Sequence, residues 1–281
     1  MQGGRATEPN TILAMIGLRA PVLPNPERLI KRLGSRIGFT SDTNYEASET
    51  SLIMPLDGGL LMTGLIDAPY PEAEWKDLAG RAWQWPEAAA VHAQIAAHLI
   101  VSCSYGDAPR LQAHLKHAAV VDEILSQVPA VGVVWGSALN SPEVFSATVA
   151  HADAGEAVPT TLWTLFQLSQ HGPETTVVST LGLDAFGLME IEANPAPKAP
   201  ADAFGLVDGL ATYLMQNGPV VGDGDTFGGT VNERITVRHA PSFRAGVGTV
   251  YQIDFGLPPQ MTAAAPKPGL LARLLGRTPR A

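Results

Sequence analysis

Residues 179–192, STLGLDAFGLMEIE, hold the side chains best spaced for chemistry. Glu190 and Glu192 alternate with Met189 and Ile191. On a strand, residues i and i+2 share a face with Cα atoms about 6.5–7 Å apart. Two carboxylates at that separation could act as acid and base or hold a cation. Asp184 lies just upstream in a glycine-bounded turn and completes the candidate catalytic set. The same alternation also describes a half-exposed strand whose glutamates face solvent and pair with a base such as Arg238 or Arg234. Solvent-facing glutamates are the expectation, and the acid/base or metal-dependent enzyme is the alternative.

A second stretch, residues 217–234, contains Gly222-Asp223-Gly224-Asp225-Thr226. Two aspartates spaced this way can feed a hard cation, but the closing glutamate of a calcium loop is missing. Asp and Gly also build ordinary turns, which is the expectation here. GDGDT has no lysine, and its aspartates would repel a phosphate. His114 and His117 are helical neighbours at i and i+3 and, with His92 or His98, could supply zinc ligands. No HExxH or CxxC accompanies them, so histidines on a solvated helix edge are expected, and no metal is assigned. Cys103 alternates with Leu99, Val101 and Tyr105 as a buried, inert thiol would. Neither a nucleophile elbow nor a dinucleotide fingerprint is present, so no cofactor is assigned. Trp83, Trp85, Trp135 and Trp163 read as core or seam residues, with a groove lining as the other possibility.

These candidates need elements to hold them. Residues 11–20 form an apolar run ended by Pro21 and Pro24, a strand signal. Asn25-Pro26-Glu27 opens a helix to about residue 37. Residues 51–56 and 60–66 flank Asp57-Gly58-Gly59 as a hairpin. A helix from Trp85-Pro86-Glu87 and a strand over 97–105 complete a β-α-β-β-α-β order. A long amphipathic helix spans about 107–127. Strands then follow at 131–135, 162–168, 176–181 (continued at 187–193), 234–239 and 249–255, with helices after Ser141-Pro142 and over 201–216. The expected fold class is therefore α+β: tandem ferredoxin-like (split βαβ) halves with mainly antiparallel sheets packed together. The expected units are residues 1–128, residues 129–257, and a Pro/Ala linker with a basic tail over 258–281.

Of the 281 residues, 46% are hydrophobic and 16% charged, enough apolar content for a packed core. The formal charge is −9. The last 24 residues hold Lys267, Arg273, Arg277 and Arg280 and no acid, which leaves residues 1–257 at −13. An acidic body repels phosphate backbones, which argues against general nucleic-acid binding. A lone cysteine permits no intrachain disulfide, and neither a secretory leader nor a transmembrane segment is visible. The expected location is the cytoplasm. In the tail, Leu270, Leu271, Leu274 and Leu275 would share one face of a short helix, suited to docking on a partner.

The segments VVWGSALNSPEVF, STLGLDAFGLMEIE and NGPVVGDGDTFG, followed by NERITVRHAPS and GTVYQIDF, resemble the bacterial family catalogued as domain of unknown function 4261. The upstream WQWPEAAAVHAQIAAHLIVS fits as well, so the resemblance runs over about residues 83–255. It implies a bacterial origin and supplies no catalytic residues. With no complete catalytic set visible, the expectation is a non-enzymatic binding or adaptor protein whose partner is another, basic protein. Its binding surface is expected at Trp135, Phe186, Asp223, Asp225 and Phe227.

Overall fold

The computed structural model describes residues 11–37, 44–56, 59–170, 175–228 and 234–255. β1 (Thr11–Leu18), a nearly continuous apolar run, is an inner strand of the first sheet. Ile12, Ala14, Ile16 and Leu18 are buried, while Leu13 on the other face is 46% exposed. Around it lie β2 (Glu46–Ala47), β3 (Ser51–Leu56), β4 (Gly59–Ile66), β5 (Ala97–Ser104), β6 (Ala130–Trp135) and β7 (Ala138–Asn140). The order is β2-β3-β4-β5-β1-β6-β7, antiparallel throughout.

Helices cover this sheet. α1 (Pro26–Ile37) and α4 (Arg110–Leu125) share a core with Ile12, Ile16, Leu61 and Leu99. Asn25 caps α1: its Oδ1 accepts from Arg28 N at 2.8 Å. On the other face, α2 (Glu72–Arg81) and α3 (Ala88–Val91) enclose Trp75 with Val134 and Leu139. Trp75 Nε1 donates to the Ala88 carbonyl at 2.7 Å. Gly132 on β6 lets the rings approach, since a Cβ there would lie 2.7 Å from Trp75 and 3.0 Å from Trp85.

After α5 (Pro142–Asp153), capped by Ser141 Oγ accepting from Val144 N at 3.2 Å, the chain forms α6 (Thr160–Trp163) and enters the second sheet. That sheet contains β8 (Leu165–Gln170), β9 (Thr176–Leu181), β10 (Ile191–Ala196), β11 (Thr226–Phe227), β12 (Ile235–Pro241) and β13 (Thr249–Asp254), ordered β11-β12-β13-β10-β9-β8. β10 and β13 run parallel; the other pairs are antiparallel. α7 (Pro200–Asn217) follows β10 and packs on β8, β9 and β10 through Ala203, Val207, Leu210 and Leu214.

The fold is α+β with two mainly antiparallel sheets, but its strand order departs from the ferredoxin-like expectation. β1 lies beside β5 but not beside β4, so the four strands run β3-β4-β5-β1 where a split βαβ unit would hold β1 between β5 and β4. β6 and β7 join the first sheet, so the sheets change over between Asn140 and Leu165. Nor does one sheet cover the other: Leu13, Met62 and Ile66 on the far face of the first sheet are 46%, 43% and 41% exposed. The halves meet instead through α6, which touches edge strands β7 and β8, and through α4, which touches the 3-10 turn Leu183–Phe186. The tail, residues 258–281, lies outside the described residues, as does the Asp57-Gly58 turn.

Candidate binding groove

The two glutamates are buried, not solvent-facing. Glu190 is 6% exposed and Glu192 is fully buried. Glu190 Oε1 accepts from Gly182 N at 2.8 Å and Leu183 N at 3.0 Å, and Oε2 accepts from Thr180 Oγ1 at 2.6 Å. It thus satisfies the free amides that open the 3-10 turn. Gly182 is required at this bend: its φ is 120°, and a Cβ would lie 2.6 Å from the Trp163 carbonyl oxygen. Glu192 accepts from Arg244 Nε at 3.0 Å, from Phe243 N at 3.1 Å and from Ser242 Oγ. Its Cα is paired with Ser179, whose side chain points away from that of Thr180, so the two carboxylates serve opposite faces of β9. Asp184 accepts from Ala185 N within the same turn. Arg238 pairs with Asp254 instead of a glutamate. The expected half-exposed alternation is absent: β10 starts at Ile191, after Glu190, and is buried along nearly its whole length. Burial of the glutamates came from the 242–244 loop and the turn, which strand periodicity does not report.

The histidine expectation also changes. His114 and His117 are 3% and 0% exposed, because α4 packs against β1, α1, α5 and the 3-10 turn together. His114 lies 4.1 Å from the Phe186 ring and stacks on Trp135; His117 sits edge-on to Trp135 at 4.8 Å. Burial pushes His114 down to about 4 and His117 down to about 3. His92 and His98 bond the carbonyls of Tyr70 and Ala68. Among the described residues no three His, Cys, Asp or Glu side chains come together in a way that could hold a metal ion. Cys103 is buried, and desolvation pushes its thiol up to about 12.

Trp135 and Phe186 therefore belong to the seam between the halves, at 4% and 8% exposure. Trp163 completes it, 5.4 Å from Phe186. Trp83 ties the halves from outside: its Nε1 donates to the Phe166 carbonyl at 2.9 Å, and its ring meets Phe204 edge-on.

Asp225 and Phe227 are elsewhere, in a groove of about 610 Å³ between α7 and the β11–β12 ribbon. Its floor is the outward face of α7, where Gly205 and Gly209 stand one turn apart and Tyr213 follows a turn later. A Cβ at either glycine would meet nothing within 4 Å, so the missing side chains are what open the groove. Phe227, Val220 and Val237 supply apolar wall, and Asp225 is the charged lining residue. The GDGDT turn builds that wall. Asp225 Oδ2 accepts from Gly222 N at 2.7 Å, and Asp223 Oδ1 accepts from His239 N at 2.9 Å. Gly224 N and Val237 N complete the docking through backbone bonds of 2.8 Å each. Neither Glu190 nor Glu192 lines the groove. Sequence reasoning missed its floor, although two glycines four apart inside a helix are a readable signal: each costs about 1 kcal/mol relative to alanine.

Two mainly antiparallel sheets, with seven α-helices among the described residues, define an α+β protein. Residues 179–254 match the family described as Domain of unknown function (DUF4261). The match runs from Ser179 within β9 to the end of β13, with α7 and the groove between them. It is shorter than the sequence resemblance, which began upstream. No curated protein matches the chain. No helix among the described residues is long and apolar enough to cross a membrane.

Proposed function

We propose that this chain is a non-enzymatic binding protein, an adaptor of the bacterial cytoplasm, that holds a short basic, amphipathic segment of another protein in the α7/β11–β12 groove. The groove itself carries the reading: about 610 Å³ of open space floored by Gly205 and Gly209, with Val220, Phe227 and Val237 as its apolar wall. Helix-in-groove recognition needs such a trough to receive side chains at i, i+3 and i+4. Charge supports a basic ligand. Asp225 lines the groove, Asp202 continues the exposed stripe of α7, and residues 1–257 carry −13. The candidate catalytic carboxylates Asp184, Glu190 and Glu192 bond turn and loop groups away from this trough. Of the expected binding residues, Asp225 and Phe227 belong to the proposed surface, Asp223 braces it, and Trp135 and Phe186 do not.

Selection of a displayed peptide library against the full chain tests the proposal, with Gly209→Trp as the counter-target. The expected winners are basic amphipathic sequences that bind the natural chain and not the variant. Enrichment that ignores Gly209, or no enrichment, contradicts it.

A further inference from the structure

Strands β1, β3, β4 and β5 contain no Asp, Glu, Lys or Arg. An antiparallel sheet with one wet face alternates apolar and polar residues. Here many of the outward positions are apolar as well. The register puts Ile53, Met62 and Leu13 in one row across the sheet, with Ile100 and Met15 in the next. Toward β6 and β7 this face is covered, and Met15 packs on the Trp75 cluster there. Toward β4 it lies open, at Leu13, Met62 and Ile66.

Gly64 shapes the open part. It sits between Met62 and Ile66 on β4, on the same face as both. A glycine inside a strand marks a bulge, or a place where another backbone comes close. There is no bulge here, because Ser51, Gly64 and Ile100 pair in unbroken register. The residue has no left-handed φ, and a Cβ on it would meet nothing within 4 Å. The approach it permits is therefore from outside the chain. Met62 stands two residues away, about 7 Å along the strand. A knob and a hollow so placed are self-complementary. Under a two-fold axis between them, each Met62 enters the hollow over the other copy's Gly64.

Charge and area narrow the partner. The face holds no charge for a charged partner to pair with; Glu46 stands at its β2 edge. The chain carries −9, so two copies repel except where uncharged surfaces meet. The strands from β2 to β1 span about 19 Å, and β4 from Leu60 to Ile66 about 20 Å, an outline of about 400 Å². Monomeric proteins rarely leave a contiguous apolar patch larger than a few hundred Å². Two such faces together cover about 800 Å², below the roughly 1,200 Å² of stable complexes. That area fits a reversible dimer, not an obligate one.

We infer that two copies of this chain pair sheet on sheet through the β3–β4–β5 face, with Met62 of each over Gly64 of the other. The inference goes beyond the groove and does not depend on it. Sedimentation velocity of the full chain from about 1 to about 200 µM tests it by mass action. The expected result is a monomer at the low end and a dimer at the high end. Met62→Asp should keep the chain monomeric throughout. So should Gly64→Val, which fills the hollow with a residue suited to a strand. Val144→Asp, at a similarly exposed apolar position on α5, should leave the dimer unchanged. A natural chain that stays monomeric, or a dimer that survives either substitution at the face, overturns the inference. So does flotation of a monomeric chain with phosphatidylcholine vesicles, which would assign the face to a lipid surface. Methionine methyl signals of the natural chain give a reading that no misfolded variant can confuse. The Met62 signal should shift on dilution while that of buried Met54 holds. No shift at Met62, or equal shifts at both, overturns the pairing.

Discussion

Gly209 and Tyr213 stand one helical turn apart on the outward face of α7, and the space above the glycine is open while the tyrosine ring borders it. Alanine at 209 meets no atom within 4 Å. Gly209→Ala is expected to stabilise the fold by about 0.5–1 kcal/mol, because alanine loses less conformational freedom in a helix. A urea midpoint measured at constant slope checks this. A loss of stability would mean that the helix needs glycine there for a reason other than the groove.

Gly182→Ala is expected to do the opposite. A φ of 120° combines with a Cβ 2.6 Å from the Trp163 carbonyl oxygen. Strained backbone costs about 1–3 kcal/mol, and the clash with a neighbouring main chain adds to it. The expected loss is about 3 kcal/mol in chemical denaturation. Less than 1 kcal/mol would show that the bend at the seam relaxes freely.

Glu192 is fully buried and holds Arg244, which is 17% exposed, together with Ser242 and the Phe243 amide. Removing one partner of such a pair leaves an uncompensated charge, so Glu192→Ala is expected to cost about 3–5 kcal/mol. The exposed Arg238–Asp254 pair serves as control, and Arg238→Ala should change stability by less than about 0.5 kcal/mol. Similar losses for both would contradict the role given to Glu192 as the anchor of the 242–244 loop.

Strand alternation and helix caps placed most of the elements. The apolar run at 11–20, the Asn25 and Ser141 caps and the helix ended by Gly218 all follow from local chemistry. Partner choice did not follow. The apolar run says that β1 is an inner strand, but nothing in residues 11–18 specifies β5 and β6 as its neighbours. Glu190 and Glu192 illustrate the same limit. Their alternation read as a half-exposed strand, whereas Ser242–Arg244, some 50 residues on, and the Gly182–Leu183 amides bury them. Local pattern carried no trace of either contact. The groove divided differently. Asp225 and Phe227, of the GDGDTF stretch, line the groove, whereas Trp135 and Phe186 are drawn into the seam by α4, whose two histidines pack on them.

Those histidines predict acid sensitivity. An unfolded imidazole titrates near 6.5. Burial holds His114 down to about 4 and His117 down to about 3 in the fold. Between these values the unfolded chain binds more protons, so stability is complete above pH 6.5 and falls as pH drops toward 4. Each histidine accounts for a loss on the order of 2 kcal/mol by pH 4.5. His117→Leu should flatten the dependence of the urea midpoint over pH 7 to 4.5, with little change at pH 7. An unaltered slope would place the acid sensitivity elsewhere.

The central claim is that the α7/β11–β12 groove receives a segment. Its most direct test is the affinity of a library-selected basic amphipathic peptide for the full chain and for Gly209→Trp, by fluorescence anisotropy, with thermal melts confirming that both fold. A tryptophan at the groove floor should weaken the complex at least about 100-fold while the melting temperature holds; losing the hot-spot pocket of an interface costs upward of 2 kcal/mol. Equal affinity for the two folded chains would contradict the account.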